Sequence, residues 1–245
     1  MTLRDNRRDK GFHDAHFEEV KSIIQDCLDP EKLEKRSAMN PSLKCSEISS
    51  AARYYLSCVK IAYVRGDGVE EMRQLYRYFV DYLWQSEQCF QEVLHTCSND
   101  INLTSLQFCM PAIAFGEGLG FGKKDLETVA RCIPAGRDQL VDTVMAVYEP
   151  GRIIHDKLTK PGVYRKLLDV ISAPKEKQAG LIQKSLNNWE KSLQKDGRGR
   201  SHEQPTYVGY WCYEAAAVVA AFDIDDSSFI DHEYYPSDLM RWRKG

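Results

Sequence analysis

The sequence predicts an all-α protein, and three observations carry that expectation. Apolar residues recur at steps of three and four along most of the chain, as at Ile48, Ala52, Tyr55, Val59 and Ala62, which places them on one face of a helix. Alternation with a period of two, the mark of a half-buried strand, persists nowhere. The apolar stretches are separated by short breaks rich in Gly, Pro, Asp and Asn, so neighbouring helices pack antiparallel. About nine or ten helices in two packed halves follow, with the halves taken as residues 1–118 and 119–245.

Residues 1–11 are polar. The first helix begins near Phe12, carries Phe17, Val20, Ile24 and Cys27 on one stripe, and stops at Asp29-Pro30. Residues 30–44 read as a polar connection with at most one helical turn. The helix through Ile48 ends at Arg65-Gly66-Asp67-Gly68. The next begins near Val69, with Glu70 and Glu71 suited to the positive end of the helix dipole. Its stripe of Met72, Tyr76, Phe79, Leu83, Phe90 and Val93 runs on to about Cys97. A further helix covers about 103–115 and is kinked or shortened by Pro111. Gly116, Gly118, Gly120 and Gly122 then form the clearest break in the first two thirds, read as a plain interhelical turn. Short helices follow through Leu126 and Ile133, through Leu140 and Val147, and through Tyr164 and Leu168, with Pro150-Gly151 breaking the chain between the last two. A longer helix carries Ile182, Leu186, Trp189 and Leu193, and residues 195–206 form a flexible loop. Beyond it, Tyr207, Trp211, Glu214, Ala215, Val218 and Phe222 read as one helical stripe.

The chain has 245 residues, 43% of them apolar and 28% charged, with a net charge of −3. That is enough to bury a core, and the charge argues against a general nucleic-acid binder, which shows a basic face. Eight cysteines form no CxxC pair and sit mostly among apolar neighbours. With no signal peptide and no apolar run of membrane-spanning length, a reduced, cytoplasmic protein is expected, its cysteines acting as small core residues.

Motifs for chemistry fail one by one. A phosphate loop needs GxxxxGK[ST], but Glu117 stands where the first glycine belongs and Lys124 where the hydroxyl belongs. Asp223, Asp225 and Ser227 have calcium-loop spacing, yet Ser228 replaces the turn glycine and Tyr234 the bidentate Glu. His13 and His16, and the pair His232-Glu233, lack further ligands for zinc. No GxSxG elbow occurs. No catalytic residue, metal or cofactor is expected. The alternatives are a helical enzyme whose carboxylate or metal site is scattered over several helices, and a helical adaptor binding through its Tyr/Trp stripe.

One stretch stands apart. From Ser201 to Met240 there is no Lys or Arg, while Glu203, Glu214, Asp223, Asp225, Asp226, Asp231, Glu233 and Asp238 all fall there. The acids are interleaved with Phe229, Ile230, Tyr234 and Tyr235, residue types that anchor interfaces. Such a surface suits a basic protein partner, because complementary charge speeds encounter and rejects wrong partners. Glu214 differs from the rest. A carboxylate among aromatics must be hydrogen-bonded if buried, here by a tyrosine hydroxyl or an arginine.

Tyr207, Gly209, Tyr210, Trp211, Glu214 and the alanines after it, then Asp225-Asp226, then Tyr235-Pro236 and Asp238-Leu239, resemble the C-terminal signature of the PoNi immunity proteins. Those proteins neutralise PoNe-type DNase toxins delivered between bacteria, including by type VI secretion. The resemblance implies an all-α protein that binds its cognate toxin and catalyses nothing, with no direct contact to nucleic acid or membrane. It marks Tyr207, Gly209, Trp211, Glu214, Tyr235, Pro236 and Asp238 as the structural signature. Combined with the acidic stretch, it makes Asp225, Asp226, Asp231, Glu233 and Tyr234 the expected toxin contacts, either mimicking phosphate against a basic cleft or covering a neighbouring exosite.

Overall fold

A computed structural model describes residues 2–94, 106–195 and 199–244. The described residues form eleven α-helices, one 3-10 turn and no strand, as the periodicity requires. They divide into two compact units. Unit 1 comprises Met1–Leu103, Arg131–Pro134 and Gln204–Gly209, and unit 2 comprises Thr104–Ala130, Ala135–Glu203 and Tyr210–Gly245.

Unit 1 is built on α3 (Pro41–Arg65), against which α1 (Lys10–Cys27), α2 (Pro30–Met39) and α4 (Val69–Leu94) all pack. The segment expected to be a polar connection is instead α2 plus the first turn of α3. Asp29 caps α2, its carboxylate accepting from Lys32 N at 2.8 Å, with Pro30 in the first turn. Asn40 caps α3 in the same way through Ser42 N at 3.0 Å, with Pro41 following. Asp-Pro and Asn-Pro therefore start helices here, since the proline lacks only an N–H that a first turn leaves unpaired anyway. α3 ends at Gly66, whose φ of 83° is left-handed; a side chain there would also strike the carbonyl of Thr2.

Unit 1 also corrects the expectation that all cysteines are reduced. Cys45 on α3 and Cys89 on α4 form a disulfide, their Cα atoms 5.4 Å apart. Cys27, Cys58, Cys109, Cys132 and Cys212 lie outside the disulfide and are buried, as expected for core residues. Burial pushes the thiol of Cys27 up to about 11 and that of Cys58 up to about 12, so neither supplies thiolate at neutral pH. Cys97 lies outside the described residues.

Unit 2 is built around α5 (Leu106–Gly118) and α10 (Tyr213–Ala221), which pack on each other and are apolar on nearly every side. A helix buried all round has no amphipathic stripe to show. Pro111 lies within α5, and the helix continues past it to Gly118. The remaining helices are α6 (Lys123–Cys132), which belongs to this unit as far as Ala130, α7 (Gln139–Met145), α8 (Pro161–Ser172), α9 (Lys175–Lys195) and α11 (Ser237–Lys244), with α8 and α9 paired and α11 lying on α5. The glycine stretch is more than a turn. Gly118 is buried inside α5, where a Cβ would run into Leu239 of α11.

No helix among the described residues is long and apolar enough to cross a membrane.

Candidate functional site

The stretch from Tyr207 to Leu239 divides between the two units after Gly209. Residues 207–212 are not helical, so the stripe drawn through Tyr207 and Trp211 does not exist; the helix starts only at Tyr213. Gly209 has a φ of 99°, which ends any helical path through it. The N–H of Cys212 then bonds to the carbonyl of Tyr234 at 2.8 Å, outside any helical ladder.

Within unit 1, Tyr207 is buried and its hydroxyl donates to Asp5, which also accepts from the backbone N–H of Arg7 at 3.0 Å. Burial, and then the carboxylate of Asp5, raise the Tyr207 hydroxyl far above its usual range, so it remains a donor. The His13 ring lies 6.0 Å from that of Tyr207 and is fully buried.

Within unit 2, Glu214 is buried on α10 and accepts from the hydroxyl of Tyr164 on α8 at 2.8 Å. Of the two donors expected, a tyrosine hydroxyl or an arginine, the structure supplies the tyrosine. Tyr210, Trp189 and Tyr234 pack edge to face or tilted, with ring centres 4.9 to 5.9 Å apart. The hydroxyl of Tyr234 donates to Glu190 at 2.9 Å. The same segment places Tyr213 against Phe115 of α5, 5.0 Å between centres.

The five expected toxin contacts separate by exposure. Asp226 is fully buried and accepts from the hydroxyl of Tyr235 at 3.2 Å, with Tyr235 itself buried. Tyr234 is buried in the aromatic group just described. Asp225, Asp231 and Glu233 are exposed. Asp225 closes a turn by accepting from the N–H and hydroxyl of Ser227, both at 3.0 Å. Among the signature residues, Tyr207, Glu214, Tyr235 and Pro236 are buried, while Gly209, Trp211 and Asp238 are half-buried.

Two residues just beyond the acidic stretch were not singled out by sequence. Arg241 on α11 pairs with Asp231 and, at 3.7 Å, with Asp238. Arg243 pairs with Glu117 at 3.0 Å and Asp223 at 3.4 Å, and donates to the carbonyl of Ala220 at 3.2 Å. The stretch that excludes cations in sequence is thus supplied with two of them in space. The signal was available, since α11 reads Arg-x-Arg directly after Met240. A window bounded at Met240 hides it.

Among the described residues no group of three or more His, Cys, Asp or Glu side chains is placed to hold a metal ion. The fold and these side chains define an all-α protein whose buried carboxylates and tyrosines hold its own architecture. Residues 136–239 match the family described as PoNe immunity proteins (PoNi), C-terminal. That match covers the C-terminal part of the chain and supports a PoNi-type immunity protein, a class whose members have a cognate toxin as partner. The fold as a whole is similar to the crystal structure of protein PA2201 from Pseudomonas aeruginosa. The TM-score is 0.75 at 15% identity, over 99% of this chain and 91% of that one. No curated protein matches the sequence.

Proposed function

We propose that the protein neutralises an antibacterial DNase toxin by forming a stoichiometric complex with it, acting by binding rather than catalysis. In this reading the toxin is one delivered between bacteria, as by type VI secretion, and the complex forms in the cytoplasm, where the chromosome is the target. The family match over residues 136–239 carries the proposal. The exposed carboxylates Asp225, Asp231 and Glu233 support an acidic surface set against a basic cleft. Asp226 and Tyr234 contribute by holding that surface in shape, given their burial.

Co-expression tests it. Cells producing the toxin encoded by the adjoining gene survive when this protein is present. Reversing the charge at Asp225, Asp231 and Glu233 together is expected to weaken both complex formation and survival. Unchanged binding and survival would sink the acidic-surface mechanism. Protection by far less than one equivalent of protein would instead favour a catalytic role.

A further inference from the structure

Within the family-matched segment, the exposed large apolar side chains of the described residues are Val147, Ile153 and Ile154. Ile153 is 74% exposed and Ile154 50%. They form the tip of the connection between α7 and α8, and the tip is held from both sides by one buried carboxylate. Asp142, fully buried on α7, takes the Nε of Arg152 on Oδ1 at 3.0 Å and the backbone N–H of His155 on Oδ2 at 3.1 Å. The two isoleucines lie between those anchor points.

The fixing goes further. Arg152 is itself buried, and it also donates to the carbonyl of Ala130 and to Glu149, both at 2.8 Å. Downstream, Asp138 caps α7 and accepts from Thr159 N at 2.7 Å, while Gln139 N donates to the carbonyl of Lys157 at 2.9 Å. A buried ion pair is an expensive way to stabilise a fold. Here it fixes the backbone on both sides of two exposed apolar side chains.

We propose that the tip formed by Ile153 and Ile154 is an apolar anchor by which this protein grips its toxin, seated in an apolar pocket on the toxin surface. The proposal rests on the immunity reading, which gives the chain a cognate toxin as its partner. One observation and a general property of interfaces favour this surface. The acids Asp223, Asp231 and Asp238 are already paired with Arg241 and Arg243, which limits what charge alone contributes. Interfaces draw most of their energy from a few desolvated anchors, and a loop fixed before binding loses little freedom when it docks. The exposed neighbours Asp156 and Lys157 carry opposite signs, so shape and apolarity, not net charge, select the pocket.

The test uses the full chain and an inactive form of the toxin encoded by the adjoining gene. Replacing Ile153→Asp and Ile154→Asp together is expected to weaken the complex by roughly 100-fold or more and to abolish survival in co-expression, with the thermal melt unchanged. The Ile153→Leu, Ile154→Leu pair keeps the apolar surface and is expected to bind within about 3-fold of wild type. Should the Asp pair alter the melt, the Ile153→Ser, Ile154→Ser pair serves the same readout. Wild-type affinity in the polar variants, with wild-type protection, overturns the proposal and leaves the immunity reading standing. A wild-type chain that neither binds the toxin nor protects overturns both. A self-associating chain that the polar variants make monomeric, with toxin binding intact, identifies the tip as a contact between copies and likewise overturns the proposal.

Discussion

Replacing Gly118 with alanine tests how closely α11 is docked onto α5. The added methyl would sit 2.8 Å from the carbonyl oxygen of Leu239 and nearer still to that residue's Cγ and Cδ1. Ordinary contact between such atoms is about 3.5 Å, so α11 must move by roughly 0.7 Å. A new leucine rotamer does not relieve this, because one of the atoms is backbone. Overpacking of this kind costs about 1–3 kcal/mol, against a gain of up to about 1 kcal/mol from removing a flexible glycine. A net loss of about 1–2 kcal/mol corresponds to a fall in Tm of roughly 2–8 °C for a chain of this size. The ion pair between Arg243 and Glu117, next to Gly118, is displaced by the same movement. Gly122→Ala is the control: nothing lies within 4 Å of its added Cβ, so its change should stay within about 0.5 kcal/mol. Thermal melts followed by circular dichroism at 222 nm decide the matter. A Gly118→Ala chain as stable as wild type would refute the close packing of α11 on α5.

Two further outcomes follow from buried polar groups. Tyr164→Phe leaves the buried Glu214 without its 2.8 Å donor, so urea unfolding should show a loss of about 1–3 kcal/mol; Glu214→Gln, which retains an acceptor, should lose less. The His13 ring is fully buried, and burial lowers its pKa below the usual 6.5, against the opposing pull of Asp5. A lowered histidine pKa means the unfolded chain takes up the proton first. Stability should therefore fall as pH drops through 6.5, by at most about 1.4 kcal/mol per pH unit, until the folded-state pKa is passed. His13→Phe should flatten that slope between pH 7 and 5, and equal slopes for the two chains would contradict the assignment.

Much of this was written in the sequence, and the omissions have physical causes. The stripe through Ile48, Ala52, Val59 and Ala62 is buried in α3, which packs against α1, α2 and α4. α2 is not legible as a stripe, and Asp29-Pro30 reads as a stop although the same pair caps a helix start. The false stripe through Tyr207 and Trp211 arose because aromatic spacing alone does not report φ, and Gly209 sits in a left-handed conformation there. That Glu214 needs a donor was legible from desolvation alone. Which tyrosine supplies it was not, because Tyr164 lies 50 positions away. Cys45 and Cys89 escaped notice for a similar reason: separated by 44 positions, each sits among apolar neighbours like any core cysteine. Exposure within the acidic stretch was the least legible feature, since Asp225 and Asp226 are adjacent and have opposite fates.

The pairing of Arg241 and Arg243 bears on how a basic partner would be received. A cation arriving at Asp231 meets a carboxylate that already holds Arg241, and one arriving at Asp223 meets Arg243. Binding there is an exchange: each new ion pair forms as an internal one opens, and the displaced arginine must find water or another acid. Such an exchange changes little in total charge pairing, so its dependence on salt is shallow. Discrimination then falls to geometry. A guanidinium that meets its carboxylate in a better-aligned, two-point contact than the resident arginine can displace it, whereas a lysine of equal charge offers no such advantage. For a basic partner docking here, the two resident arginines would act as local competitors at Asp231 and Asp223.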